Sequence, residues 1–143
     1  MGMFDMLDIS ASGMTAQRLR LDVISNNIAN VNTTRTNEGG PYQRERVVFQ
    51  EIRDRKSFSD YLRESKRAGV RVVSIQKDDA PFKTVYDPTH PDADAEGYVR
   101  LPNVNIVTEM VDMISALRSY EANVTAINAA KSMMSKALEI SRI

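Results

Sequence analysis

Large apolar residues recur in alternating steps of four and three along the last third of the chain. The line runs Ile106, Met110, Met113, Leu117, Tyr120, Val124, Ile127, Met134 and Leu138; only Lys131 and Ser141 on it are not large and apolar. A 3.5-residue repeat held this long is the pattern of a coiled-coil seam. No Gly or Pro follows Pro102, and Ala, the best helix former, is frequent. The pattern predicts one helix over 104–143, roughly 55–60 Å long at 1.5 Å per residue. A chain of this size cannot cover that length with its own middle, so part of the seam is expected to meet other molecules.

The same stepping over the first segment, 1–33, finds Met3, Leu7, Ser10, Met14, Gln17, Leu21, Ile24, Ile28 and Val31. Leu7, Met14, Leu21 and Ile28 recur every seventh position. A second, weaker seam-bearing helix is predicted. Gly13 lies inside it and costs about 1 kcal/mol relative to Ala. Its end carries Asn26, Asn27, Asn30 and Asn32. Asn competes with the helix backbone and marks caps and turns, so this reads either as a fraying end or as an amide patch. Such a patch would bond neighbouring helices and fix their register, as polar groups at coiled-coil interfaces do.

Between the helices, residues 34–103 read as a small β-rich piece. Thr33–Pro41 is a loop, rich in turn residues. Short strands are predicted around Val47–Phe49, Gly69–Ile75, Lys83–Tyr86 and Gly97–Leu101, with a charged stretch at 53–67 that reads as a short helix or a loop. Strands so few and short need a docking surface. The predicted fold is therefore mainly α: two long terminal helices packed as an antiparallel coiled-coil pair, with a small β-rich middle.

Composition narrows the function. The 143 residues carry 19 basic and 19 acidic side chains, so no global charge draws the protein to nucleic acid or an anionic membrane. Charge is instead split within the middle: basic residues from Arg44 to Arg71, then acids from Asp78 to Glu96. Two solvated faces are one reading, and complementary contact between adjacent subunits the other. There is no cysteine, which excludes disulfides and thiolate chemistry. No apolar run reaches the 18 or more residues of a membrane span. Asp5 and Asp8 stand where a secretory signal would carry Lys or Arg.

Catalytic chemistry is sparse. His90 is the single histidine and lies in a proline-flanked loop, with no nucleophile elbow to serve. No phosphate-binding glycine motif is present. Asp92, Asp94 and Glu96, followed by Gly97, imitate the start of a calcium loop, but the closing carboxylate position holds Asn103. No enzymatic activity, metal or other cofactor is expected.

Several stretches carry a family resemblance. Ala11–Gln17 (ASGMTAQ) followed by Leu21–Thr33 (LDVISNNIANVNT) resembles the N-terminal signature of bacterial flagellar rod and hook proteins, and Glu109–Asn123 (EMVDMISALRSYEAN) their C-terminal motif. Gly39–Tyr42 leading to Val47–Phe49, the run Val85–Asp94 with Gly97–Val99, and Lys131–Met134 resemble the proximal rod members. The stretch 53–67 departs from the family pattern. The resemblance implies a structural subunit of the flagellar drive shaft, in the basal body, that transmits torque in a helical assembly. It implies as partners other copies of the chain, other proximal rod subunits, the inner-membrane-ring adapter and the distal rod protein. In transit it implies the flagellar type III export apparatus, without a cleaved signal peptide. The competing reading from the residues is a soluble coiled-coil adaptor that dimerises through the C-terminal seam.

Overall fold

The structure is a computed structural model, and it describes residues 3–52 and 69–140. The stretch 53–67, Ser141 and the side chain of Met3 lie outside the residues or side chains described. Helix α1 spans Met3–Ala29 and runs unbroken through Gly13. Strands β1 (Glu45–Glu51) and β2 (Val70–Lys77) follow, then β3 (Lys83–Tyr86) and β4 (Tyr98–Leu101). Helix α2 spans Ile106–Ile140, its 35 residues extending about 52 Å. Asn105 caps its start, accepting the Val107 N–H on its side-chain oxygen at 3.0 Å.

The two helices pack antiparallel. Asn27 near the end of α1 meets Glu109 near the start of α2, and Gly13 lies against Asn123 further along both. Gly13 is required by that approach: a Cβ there would stand 3.1 Å from the Asn123 side chain. The absent side chain that weakens α1 as a helix lets its partner close in.

Each pair of strands forms a two-stranded antiparallel sheet. β1 and β2 carry a bulge: Val48 faces Ser74 while Phe49 faces Val72, leaving Val73 as the extra residue. Along β1 and β2, half-buried Val47, Phe49, Val70 and Val72 alternate with exposed Arg46, Val48, Arg71 and Val73. The half-buried rows pack against α1. Gly69, at φ +103°, brings the start of β2 onto α1, where the Val70 N–H donates to the Ser12 hydroxyl at 3.1 Å.

The core is narrow. Ala16, Val23 and Ile24 of α1, Ala116 and Ala130 of α2, and Val99 and Val104 are its buried apolar residues among those described.

Candidate functional site

Two features of the helix pair stand out: a polar junction at one end and an uncovered apolar face on α2.

The junction is built on Asn27, whose side chain is fully bonded. Its Nδ2 donates to the Glu45 carbonyl at 2.9 Å and to Glu109 Oε2 at 3.0 Å. Its Oδ1 accepts from the Glu45 N–H at 3.0 Å and from the Tyr42 hydroxyl at 2.9 Å. The amide thus mimics a strand neighbour for Glu45 while holding α2 through Glu109. Glu109 is wholly buried at 0% exposure, and its Oε1 accepts from Arg44 Nε at 2.6 Å.

Arg44 is the hub. It also reaches Asp78 Oδ2 at 3.3 Å and Asp112 Oδ2 at 3.4 Å, and its own N–H donates to Asn103 Oδ1 at 2.7 Å. Arg20 of α1 adds a 3.0 Å pair to Asp112. Burial pulls the Arg44 pKa down, but the hydrogen bonds and charges of Glu109 and Asp78 outweigh it and hold the guanidinium above its ordinary value. Burial likewise pushes Asp78 up, yet the Ala80 N–H, Arg44 and Arg46 leave its carboxyl below the usual range. Burial, then the charges of Glu45 and Glu109, push the Tyr42 phenol up to about 12. A cleft of about 350 Å³ beside the junction is lined by Val23, Ile24, Val47 and Phe49 together with these groups. Arg20 and Arg44 there are already paired with carboxylates.

The predicted seam positions separate in space. On α1, Ile24 is buried, and Leu7, Met14, Leu21 and Ile28 are half-buried, as is Val31 in the turn that follows. On α2, Met113, Tyr120, Val124, Ile127 and Met134 are half-buried, while Ile106, Met110, Leu117 and Leu138 are exposed. The line of α2 turned toward its own chain is Glu109, Met113, Ala116, Tyr120, Asn123, Ile127, Ala130 and Met134. It keeps the four-three stepping and shares every second residue with the large apolar line. The other positions move back by one, to small or polar residues. Ala116 and Ala130, at 0% and 1% exposure, are small because the helices approach closely there.

The large residues displaced from that line join others beside them in an outer stripe. Ile106, Val107, Met110, Val111, Ile114 and Leu117 all lie exposed on α2, with Val107 at 70% and Val111 at 62%. Met133, Leu138 and Ile140 are exposed near its far end. Among the described residues no helix is long and apolar enough to cross a membrane.

The four asparagines divide their work. Asn27 is buried in the junction. Asn26 donates to the Tyr42 hydroxyl at 3.3 Å. Asn30 donates to the Asn26 carbonyl and accepts from Thr33, closing the helix end. Asn32 is exposed. Glu109, Arg44 and the Gly13–Asn123 contact were not singled out by the apolar pattern. For the α2 residues the signal was the seven-residue spacing of Glu109, Ala116, Asn123 and Ala130, small or polar at every step, and Arg44 stood only as one member of the basic run.

The calcium-like stretch is a capped turn. Asp94 Oδ1 accepts the N–H groups of Glu96 and Tyr98 at 3.0 and 2.9 Å. His90 Nδ1 accepts the Asp92 N–H at 3.1 Å. Among the described residues no three His, Asp or Glu side chains are grouped to hold a metal ion.

Comparison with known proteins agrees with this architecture at both ends. A family model described as "Flagella basal body rod protein" matches residues 7–35, the α1 region, and one described as "Flagellar basal body rod FlgEFG protein C-terminal" matches 95–140, which contains α2. Proteins named flagellar basal-body rod protein FlgC are similar over nearly the whole chain. The one from Borreliella burgdorferi is 54% identical, with 98% of each chain covered. The Bacillus subtilis protein is 50% identical over 97% of this chain and 98% of its own, and the Salmonella typhimurium protein 41% identical over 98% of both. With both helices, the junction and the outer stripe inside the matched length, the chain belongs to the FlgC family of flagellar basal-body rod proteins.

Proposed function

We propose that this structural subunit of the flagellar basal-body rod assembles through the outer face of its terminal helices and carries torque through those contacts. The observation that supports this reading is the outer stripe of α2. Six large aliphatic residues within twelve positions stand uncovered, on a helix whose opposite side is occupied by α1. Covering the stripe would contribute roughly 5–8 kcal/mol if each side chain regains half of its burial energy. Exposed patches of this size mark interaction surfaces. A patch at one end of a helix that meets a different surface on the next copy generates an open, helical array rather than a closed dimer.

In this reading residues 1–33 and 104–143 form the axial core and 34–103 a peripheral piece. The neighbours are further copies of the chain, the other proximal rod subunits, the inner-membrane-ring adapter and the distal rod protein. The rod spans the periplasm, and the subunit reaches it through the flagellar type III export apparatus without a cleaved signal. Its role is mechanical and not catalytic. The coiled-coil adaptor is not favoured, because rod proteins match along the whole chain.

Leu117→Asp tests the proposal. Leu117 is exposed at 43%, so the substitution is expected to leave the subunit's own unfolding midpoint unchanged. In cells lacking the wild-type copy it is expected to abolish motility and rods in isolated basal bodies. Normal rods built from this variant would sink the assignment of the stripe.

A further inference from the structure

We infer that Glu109, held by Asn27 and Arg44, selects the register of the α1–α2 pair against slips of seven residues. The inward line of α2 alternates small or polar residues (Glu109, Ala116, Asn123, Ala130) with large ones (Met113, Tyr120, Ile127, Met134). On α1, Leu7, Met14, Leu21 and Ile28 are half-buried at the same seven-residue interval. The large apolar rows of both helices therefore nearly repeat when one helix slides two turns, about 10 Å, along the other. Such a slide sets Ala116 or Ala130 against Gly13 in place of Asn123, and large residues again meet large ones. Apolar packing alone discriminates weakly among the three arrangements.

One slipped arrangement even offers a decoy. Asn27 faces Glu109 in the native pair, so a seven-residue slide brings Arg20 opposite Glu109. Two opposite charges would meet there, and pair attraction does not reject that state.

The polar junction does reject it. Glu109 accepts from Asn27 and Arg44, and both are also tied outside α2: Asn27 to both backbone groups of Glu45, Arg44 to Asp78. The Arg44 N–H is held in turn by Asn103, whose own amide donates to the Asp78 and Ala80 carbonyls at 2.9 and 3.0 Å. A slide would pull the buried carboxylate away from donors that cannot follow it. Asn27 Nδ2 and Arg44 Nε would lose their shared acceptor. The network thus acts as a discriminator, as single polar groups do in coiled coils, and need not be a large net source of stability.

The absence of cysteine permits a direct test. Three double variants report the three registers: Gly13→Cys with Asn123→Cys for the native one, and Gly13→Cys with Ala116→Cys or Ala130→Cys for the slipped ones. Each is made in the otherwise native chain and again with Asn27→Leu and Glu109→Leu. Intramolecular disulfide is quantified by mass after oxidation at low protein concentration. With the junction intact, the 13–123 bond should dominate. Without it, the ratio of slipped to native disulfide should rise about tenfold or more, the factor expected for lost hydrogen bonds to a buried charge. An unchanged ratio would overturn the inference. Should circular dichroism show that the double-Leu background loses its helices, Glu109→Gln carries the same readout. It keeps the shape and removes the charge facing Arg44. A rise in slipped disulfide supports the inference, and none refutes it.

Discussion

Asn27 makes four hydrogen bonds to three separate parts of the chain, and its amide nitrogen is what lets it face two acceptors at once. Asn27→Asp changes one atom and turns that nitrogen into an oxygen aimed at the Glu45 carbonyl and the Glu109 carboxylate. A loss of about 3 kcal/mol is expected in urea unfolding, the range for leaving buried charged groups unpaired. The Asn-rich sequence signalled this role in part. It marked a patch of four, and only the fold separates the junction residue from the one that closes the helix end. Asp78 gives the junction a pH dependence. Its folded pKa lies below that of the free side chain, so its contribution is complete above the unfolded value of about 4 and is lost as pH falls through the lowered folded value. The urea midpoint should therefore drop on acidification through that window. Asp78→Asn should flatten the slope, which a pH series of unfolding curves measures.

At the scale of elements, both helices and all four strands among the described residues were legible in the sequence, most of them by a clear period and all by clear breakers. The inner line of α2 was not, and the reason is physical. A search for large apolar residues finds the surface with the most hydrophobic area to bury, whichever molecule buries it. In this helix the close intramolecular contact uses Ala116, Asn123 and Ala130, while Ile106, Met110 and Leu117 face outward. Size marks a seam but does not say whose seam it is. Gly13 belongs to the same geometry. Gly13→Ala gains helix propensity and loses it again to the 3.1 Å approach of Asn123, so it should be nearly neutral. Gly13→Leu has no space on that side and should cost about 2 kcal/mol by forcing the helices apart, read as a lower thermal midpoint with little change in helical content. The β1–β2 pair leans on α1 through Val70 and Ser12 and through the Asn27–Glu45 bridge, which is how strands this short keep their order.

For the whole molecule, the arrangement divides one helix between two duties. Facing inward, α2 alternates small or polar residues with large ones and carries the register. Facing outward, it is large and aliphatic and carries the binding energy available to a neighbour. This division is why Leu117→Asp should spare the folded subunit and remove the assembled rod: the two faces share a helix but almost no residues. The fully buried Glu109 and the exposed Val111 lie two residues apart on opposite faces of the helix.

The Asn27 tie has one more consequence. Its bonds join chain positions 15, 18 and 82 residues apart, spans that many small proteins close with covalent bridges. A fastening made of hydrogen bonds has no redox state. A chain closed this way needs no oxidant and no disulfide isomerase to fasten itself again after it has been unfolded.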